Sequence, residues 1–200
     1  LELTNFHAAK ALGNLLSNYE SDLKYITKFK MYKNSDLTIA EYLYGQNGLQ
    51  QFINEYRVAR NVKKEKVGHL CEFLKMWVLN KDSLNVDSFA SSLQKEGITH
   101  DNKVMTSLSS KVLFLNNPEN IIPIDSLNRN ALSININKYA VFLEKVSQFK
   151  LEHKEWMVEK ISIIMPLIIE IEKSFNAIDF IVYREMRFTD KLLWTIGQIK

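Results

Sequence analysis

The apolar residues of this chain recur at intervals of three and four almost from end to end, and such spacing folds into helices that each bury one face. Leu12, Leu15, Leu16, Tyr19, Leu23 and Ile26 form the first stripe, with Asn5 placed to cap its start. Val67, Leu70, Cys71, Leu74, Trp77 and Val78 form the cleanest stripe of the first half, so Trp77 reads as core packing and not as a platform for a base. Val86, Phe89 and Leu93 mark another helix, which Gly97 can end in the left-handed conformation. Val104, Leu108, Val112 and Leu115 mark the next, stopped by Asn116-Asn117-Pro118. In the last third, Tyr139, Phe142, Leu143 and Val146 share a face. Trp156 to Phe175 is expected to be one largely buried helix kinked at Pro166, and Thr189 to cap a final helix that buries Leu192, Leu193 and Ile196 and ends at Gly197. The expectation is an all-α, compact multi-helix fold. With 200 residues and no internal repeat, low-complexity stretch or linker, residues 1–200 are expected to form a single helical domain.

The breaks between stripes are equally informative. Asn34-Ser35-Asp36 interrupts the first helix, and Thr38-Ile39-Ala40-Glu41 has the spacing of a capping box, with Gly45 and Gly48 bracketing the end of the short helix it opens. Leu49, Phe52, Ile53 and Tyr56 then point one way. If that helix continues, Arg57, Arg60 and Lys64 fall on one outward stripe, and Lys63 and Lys66 make this the densest basic patch of the chain. Such a patch suits contact with phosphates, and it equally suits a solvated helix face.

Overall charge is +3, from 26 Lys and Arg against 23 Asp and Glu. Each half carries 13 cations, against 11 and then 12 carboxylates, so neither half is a basic arm. The one cysteine, Cys71, excludes an internal disulfide, a cysteine-rich zinc site and a four-cysteine iron–sulfur cluster, and it fits a reducing compartment. The longest apolar run, Ile163 to Ile169, is interrupted by Pro166 and falls far short of the roughly 20 residues that span a bilayer. Leu1-Glu2-Leu3-Thr4-Asn5 shows neither an initiator Met nor a signal-peptide pattern, so the expected location is the cytoplasm. His7, His69, His100 and His153 lack paired spacing, and no metal or other cofactor is expected. Glycine-rich phosphate loops, His-Glu-x-x-His and Gly-x-Ser-x-Gly are absent, which removes the enzyme classes built on them from the front rank.

One segment differs from everything around it. Ser107-Leu108-Ser109-Ser110-Lys111-Val112-Leu113-Phe114-Leu115 is followed by Pro118, then Ile122-Pro123-Ile124-Asp125-Ser126, and then Arg129 and Leu132. The prolines favour an extended apolar stretch, with Asp125 placed to cap a helix beginning at Ser126. This segment resembles the central part of the helix-hairpin-helix DNA glycosylases, the superfamily of 8-oxoguanine DNA glycosylase and endonuclease III. In that family a tight turn precedes a helix bearing the catalytic lysine, and an apolar segment delivers the catalytic aspartate. The resemblance covers about a quarter of the chain and implies a related fold, Lys111 as nucleophile, Asp125 as its electrostatic and general-base partner, and Ser109 and Ser110 at the turn that clamps DNA phosphate. Serines stand where the family has glycines, Lys111 and Asp125 are closer in sequence than is usual there, and the cluster cysteines of some branches are missing. The pattern of a Ser-Lys helix, an apolar-Pro-apolar-Asp segment and a later Asp-Lys-x-Leu-Trp helix also looks like uncharacterised bacterial proteins.

The implied chemistry is glycosylase and abasic-site lyase action on a modified or damaged base. A partly desolvated lysine attacks the sugar carbon as the base leaves and forms a Schiff base, while the carboxylate stabilises the cationic sugar. A base held in a duplex must first be flipped into a pocket. Local structure offers plainer roles, since an N-cap accounts for Asp125 and a solvated helix position for Lys111. The alternative function is a non-enzymatic binding module that uses Arg57, Arg60, Lys63 and Lys64 on nucleic acid or an acidic protein partner; self-association is also compatible with the sequence, and insertion in a membrane is not.

Overall fold

A computed structural model describes residues 3–80, 83–175 and 178–199, so Leu1 and Glu2 of the amino-terminal reading lie outside the described residues. The described residues form α-helices and short 3-10 turns with no strand; an isolated antiparallel bridge joins Val62 and Thr99. Two compact units are present, one formed by residues 23–123 and the other by residues 1–22 with 124–200. Helix α1 (Asn5–Lys33) contributes its first part, through Asp22, to the second of these and the remainder to the first. Its first turn is held by Thr4, whose hydroxyl accepts from the His7 amide at 3.4 Å, so the capping position precedes the expected Asn5 by one residue.

In the unit 23–123, α1 stops where Ser35 adopts φ 68°, and the expected capping box forms: Thr38 and Glu41 exchange side-chain and main-chain hydrogen bonds at the start of α2 (Ile39–Tyr44). The chain turns tightly into α3 (Leu49–Glu55) through Gly48, where a Cβ would stand 2.0 Å from the Tyr42 carbonyl oxygen. Here the sequence expectation fails. The helix ends at Glu55, Arg57 takes φ 56°, and 3-10 turns at Ala59–Asn61 and Lys64–Lys66 flank the extended Val62. Arg57, Arg60 and Lys64 therefore do not share a helical stripe. The break has a packing reason, because Val58 and Val62 are both buried, a four-residue spacing maintained here by turns and not by a continued helix.

Helix α4 (Val67–Asn80) buries Val67, Leu70, Cys71 and Leu74 as its stripe indicates, and Trp77 packs edge-on against Phe89 of α5 (Val86–Lys95). Gly97 ends α5 at φ 64° as anticipated. Asp101 and Asn102 then adopt left-handed conformations, so α6 (Thr106–Phe114) begins later than the stripe suggests and Val104 is left exposed outside it. Ile121, Ile122 and Ile124 are buried in a stretch without regular secondary structure at the end of this unit.

The other unit starts from the first part of α1 and resumes at Ile124. Asp125 caps α7 (Ser126–Ala131) by accepting from the Asn128 amide at 2.9 Å. Then follow α8 (Tyr139–Ser162), α9 (Met165–Glu172) and α10 (Phe180–Ile199). The stretch from Trp156 to Phe175 is not one buried, kinked helix. Pro166 sits in the first turn of α9, where its missing amide costs no hydrogen bond, and therefore begins a helix. Met157, Ile161, Ile164 and Ile168 face inward at helical spacing, whereas Val158, Ile163, Leu167 and Ile169 are exposed; the segment holds more aliphatic residues than one buried face can take. Among the described residues no helix is long and apolar enough to cross a membrane.

Helix α10 also begins earlier than expected. Thr189 lies inside it and donates to the Glu185 carbonyl at 2.7 Å, which is a common position for a mid-helix threonine. Gly197, read as a helix end, is internal and buried: a Cβ there would stand 2.0 Å from the Leu127 carbonyl oxygen of α7. Gly197 is what lets the two backbones touch. Gly197→Ala is therefore expected to lower the free energy of unfolding by about 1–3 kcal/mol through overpacking, measured by urea denaturation, although alanine has the higher helix propensity.

Candidate functional site

The basic segment emerges as a series of turns. Arg57, Arg60 and Lys64 are exposed and Lys63 is half-buried, its position fixed by a main-chain hydrogen bond from its amide to the Ile98 carbonyl at 3.0 Å. Among the described residues none of these four side chains makes an ion pair or hydrogen bond, although Glu55 and Glu65 are their neighbours in sequence. They are cations presented to solvent on a well-anchored backbone.

Lys111 lies on α6 in the same unit. Its side chain is half-buried, and its ammonium donates to the carbonyl oxygen of Tyr56 at 2.9 Å, just beyond the end of α3. Carbonyls at a helix C-terminus lack intrahelical donors and carry the negative end of the helix dipole, so this contact has a structural role. Ser109 and Ser110 are fully buried within α6, and Ser110 donates back to the Ser107 carbonyl at 3.1 Å; no turn separates them from Lys111. Asp125 belongs to the other unit, where it is half-buried and caps α7.

Cys71 is completely buried. Burial pushes its thiol up to about 11, against a smaller opposing effect of the Tyr32 hydroxyl, so it carries little thiolate and is a core residue as its helical face implied. The described residues contain no group of His, Cys, Asp and Glu side chains able to hold a metal ion.

The densest polar constellation in the unit 1–22 with 124–200 is one that sequence spacing did not bring together. Arg187 of α10 is 1% exposed. It donates through one terminal nitrogen to Asp22 of α1 and through the other to Asp190 at 2.6 Å. Asp190 in turn accepts from the Asn128 side chain of α7 at 2.8 Å. Lys191 follows directly, half-buried, with burial and then the neighbouring Arg187 lowering its ammonium below the ordinary lysine value while Asp22, Asp190 and Asp125 act in the opposite direction. A second cluster joins Tyr19, Glu172 and Arg184: the Tyr19 hydroxyl donates to Glu172 at 2.5 Å and Arg184 forms a two-point pair with the same carboxylate. Burial, the hydrogen bond to Glu172 and the adjacent negative charge raise Tyr19 far above the usual phenol value, so it remains a neutral donor.

The only sequence signal for the first cluster is Arg187 and Asp190 at a three-residue spacing inside an otherwise apolar helical stripe. That spacing can form an intrahelical pair but does not name Asp22 or Asn128. The chain matches no protein-family model, and comparison with curated proteins and with solved structures gives no match.

Because a guanidinium does not lose its charge at accessible pH, removing it would leave two buried carboxylates without their counter-ion. Arg187→Ala is expected to cost about 3–5 kcal/mol of stability. Equilibrium urea unfolding at neutral pH measures it, and a loss under 1 kcal/mol would show that the cluster is not what holds α1 and α10 together.

Proposed function

We propose that the protein acts on nucleic acid and meets the phosphate backbone with the turns that carry Arg57, Arg60, Lys63 and Lys64. The observation that carries this reading is that four closely spaced cations have no ion-pair partner among the described residues. The charge balance supports it: residues 23–123 hold 14 Lys and Arg against 10 Asp and Glu, while the rest of the chain holds 12 against 13. Phosphate contacts release condensed counter-ions, so binding by these groups is steeply salt-dependent. If all four cations engage duplex DNA, the slope of log K against log salt is expected to be about −3 to −4. Arg60→Ala with Lys64→Ala together are expected to reduce that slope by about 2. Fluorescence anisotropy of a labelled duplex over a salt series measures both, and a flat response would assign the patch to a protein partner.

A second reading adds chemistry, namely a helix-hairpin-helix glycosylase-like fold in which Lys111 attacks the sugar of a damaged nucleotide. The position of Asp125 favours it, since the carboxylate follows the buried, non-helical residues Ile121 to Ile124 and caps the next helix, as the resemblance to that family implies. Lys111 would have to exchange its hydrogen bond to the Tyr56 carbonyl for substrate. Borohydride trapping on abasic-site DNA is expected to give a covalent adduct that Lys111→Ala abolishes, and absence of any adduct with the unmodified protein refutes lyase action through this residue.

A further inference from the structure

Helix α8 carries apolar residues on two faces, and its own unit covers one of them. Phe142, Val146, Phe149, Met157 and Ile161 are buried. On the opposite side stand Leu151, at 79% the most exposed large apolar side chain among the described residues, and Val158, 57% exposed. They are seven residues apart, which places them nearly in line along the helix, and the small exposed Ser147 and Ser162 continue that line at either end. The charges beside the line are sorted by sign. Lys154 lies on one side of it, and Glu155 lies on the other, with Glu152 and Glu159 further out. Several of the outer charges are already engaged within the chain: Lys150 with Glu185 at 2.8 Å, Glu152 with the Gln148 side chain at 3.0 Å, and Glu159 with Lys160 at 2.7 Å. The two charges nearest the apolar line are different. Lys154 and Glu155 are exposed and make no ion pair or hydrogen bond among the described residues.

We propose that this face of α8 is a self-association surface, on which a second copy of the chain lays its own α8 parallel and in register about a two-fold axis. Charge selects both the occupant and the orientation. A partner of a single charge sign would satisfy one side of the line and be repelled by the other, whereas the same surface turned about a two-fold satisfies both. About that axis the side bearing Lys154 faces the side bearing Glu155 in the second copy, so two Lys154–Glu155 pairs close across the seam. Leu151 then meets Leu151 of the second copy, and Val158 meets Val158, which removes the exposed aliphatic groups from water. An antiparallel pairing would set Lys154 against Lys154 and the acidic side against itself. With two aliphatic residues and one new ion pair from each copy the seam is short, below about 1,200 Å² in total, so it forms a reversible dimer and not an obligate one. The surface is independent of the nucleic-acid reading and lies in the other unit.

The test uses the intact chain. Sedimentation equilibrium across the micromolar range is expected to show monomer and dimer in exchange, with no larger species. Lys154→Glu and Glu155→Lys, both at exposed positions, are each expected to weaken dimerisation about tenfold, because each sets like charges together twice across the seam. Mixing the two variants in equal amounts is expected to restore the dimer as a heterodimer, since acid then faces base on both sides. Leu151→Cys and Val158→Cys are each expected to give a disulfide-linked dimer under diamide, whereas Lys145→Cys, on α8 away from the seam, is not; the buried Cys71 does not compete. A chain that stays monomeric at every concentration would assign the face to another partner and overturn the proposal. Charge reversals that leave the dimer unchanged, a mixture no tighter than its components, or Lys145→Cys linking as readily as Leu151→Cys would overturn it as well.

Discussion

A guanidinium buried to 1% exposure is the constraint around which the unit of residues 1–22 and 124–200 is organised. Arginine keeps its charge, so Arg187 can be enclosed only if carboxylates are enclosed with it. Asp22 arrives from α1 and Asp190 from the next turn of α10. Asp190 carries the requirement onward, because its remaining acceptor capacity is met by the Asn128 side chain on α7. Three helices are thereby placed by one charge. The close approach of Gly197 to the Leu127 carbonyl, two turns further along α10, sets the spacing that brings Asn128 into reach.

The same logic is repeated one turn away. Tyr19 precedes Asp22 on α1 by three residues, as Arg184 precedes Arg187 on α10, and the pair Tyr19–Arg184 is joined through Glu172 of α9 just as Asp22 meets Arg187 directly. Tyr19 and Tyr183 rings stand 5.3 Å apart between these polar rungs. Apolar burial is non-directional and by itself does not name one register of α1 against α10. Two polar rungs at equal spacing remove that freedom, since a shifted register would leave buried charges without partners.

Signals that depend on neighbours within about four residues were legible in the sequence, and those that depend on distant partners were not. The capping box at Thr38 and Glu41, the left-handed Gly97 and the Asp125 cap all follow from local backbone needs. The end of α3 did not, because the left-handed residue there is Arg57 and nothing about an arginine announces a positive φ. Thr189 misled for a related reason: a threonine ahead of an apolar run looks like a cap, yet its hydroxyl can equally donate back to the preceding turn, as it does to Glu185. The Arg187 cluster was out of reach altogether, since its partners lie 165 and 3 residues away and only the nearer is visible as a pattern.

Charge is used differently in the two units, and net charge conceals this. In residues 23–123 some lysines serve main-chain carbonyls at helix ends: Lys75 donates to the Tyr32 carbonyl at 2.9 Å near the end of α1 while lying over the Tyr32 ring, and Lys111 does the same for Tyr56 after α3. Such cations answer a need created by the backbone, since the last carbonyls of a helix have no donors of their own. Arg57, Arg60, Lys63 and Lys64 answer no such need within the described residues. A cation that stabilises the fold is held by the atoms it serves, and drawing it to a ligand sacrifices that contact; a cation held only by its backbone can turn to a ligand without that loss. The distinction between lysines at helix ends and cations on turns is invisible in a count of 26 Lys and Arg, because it depends on which carbonyls each ammonium meets.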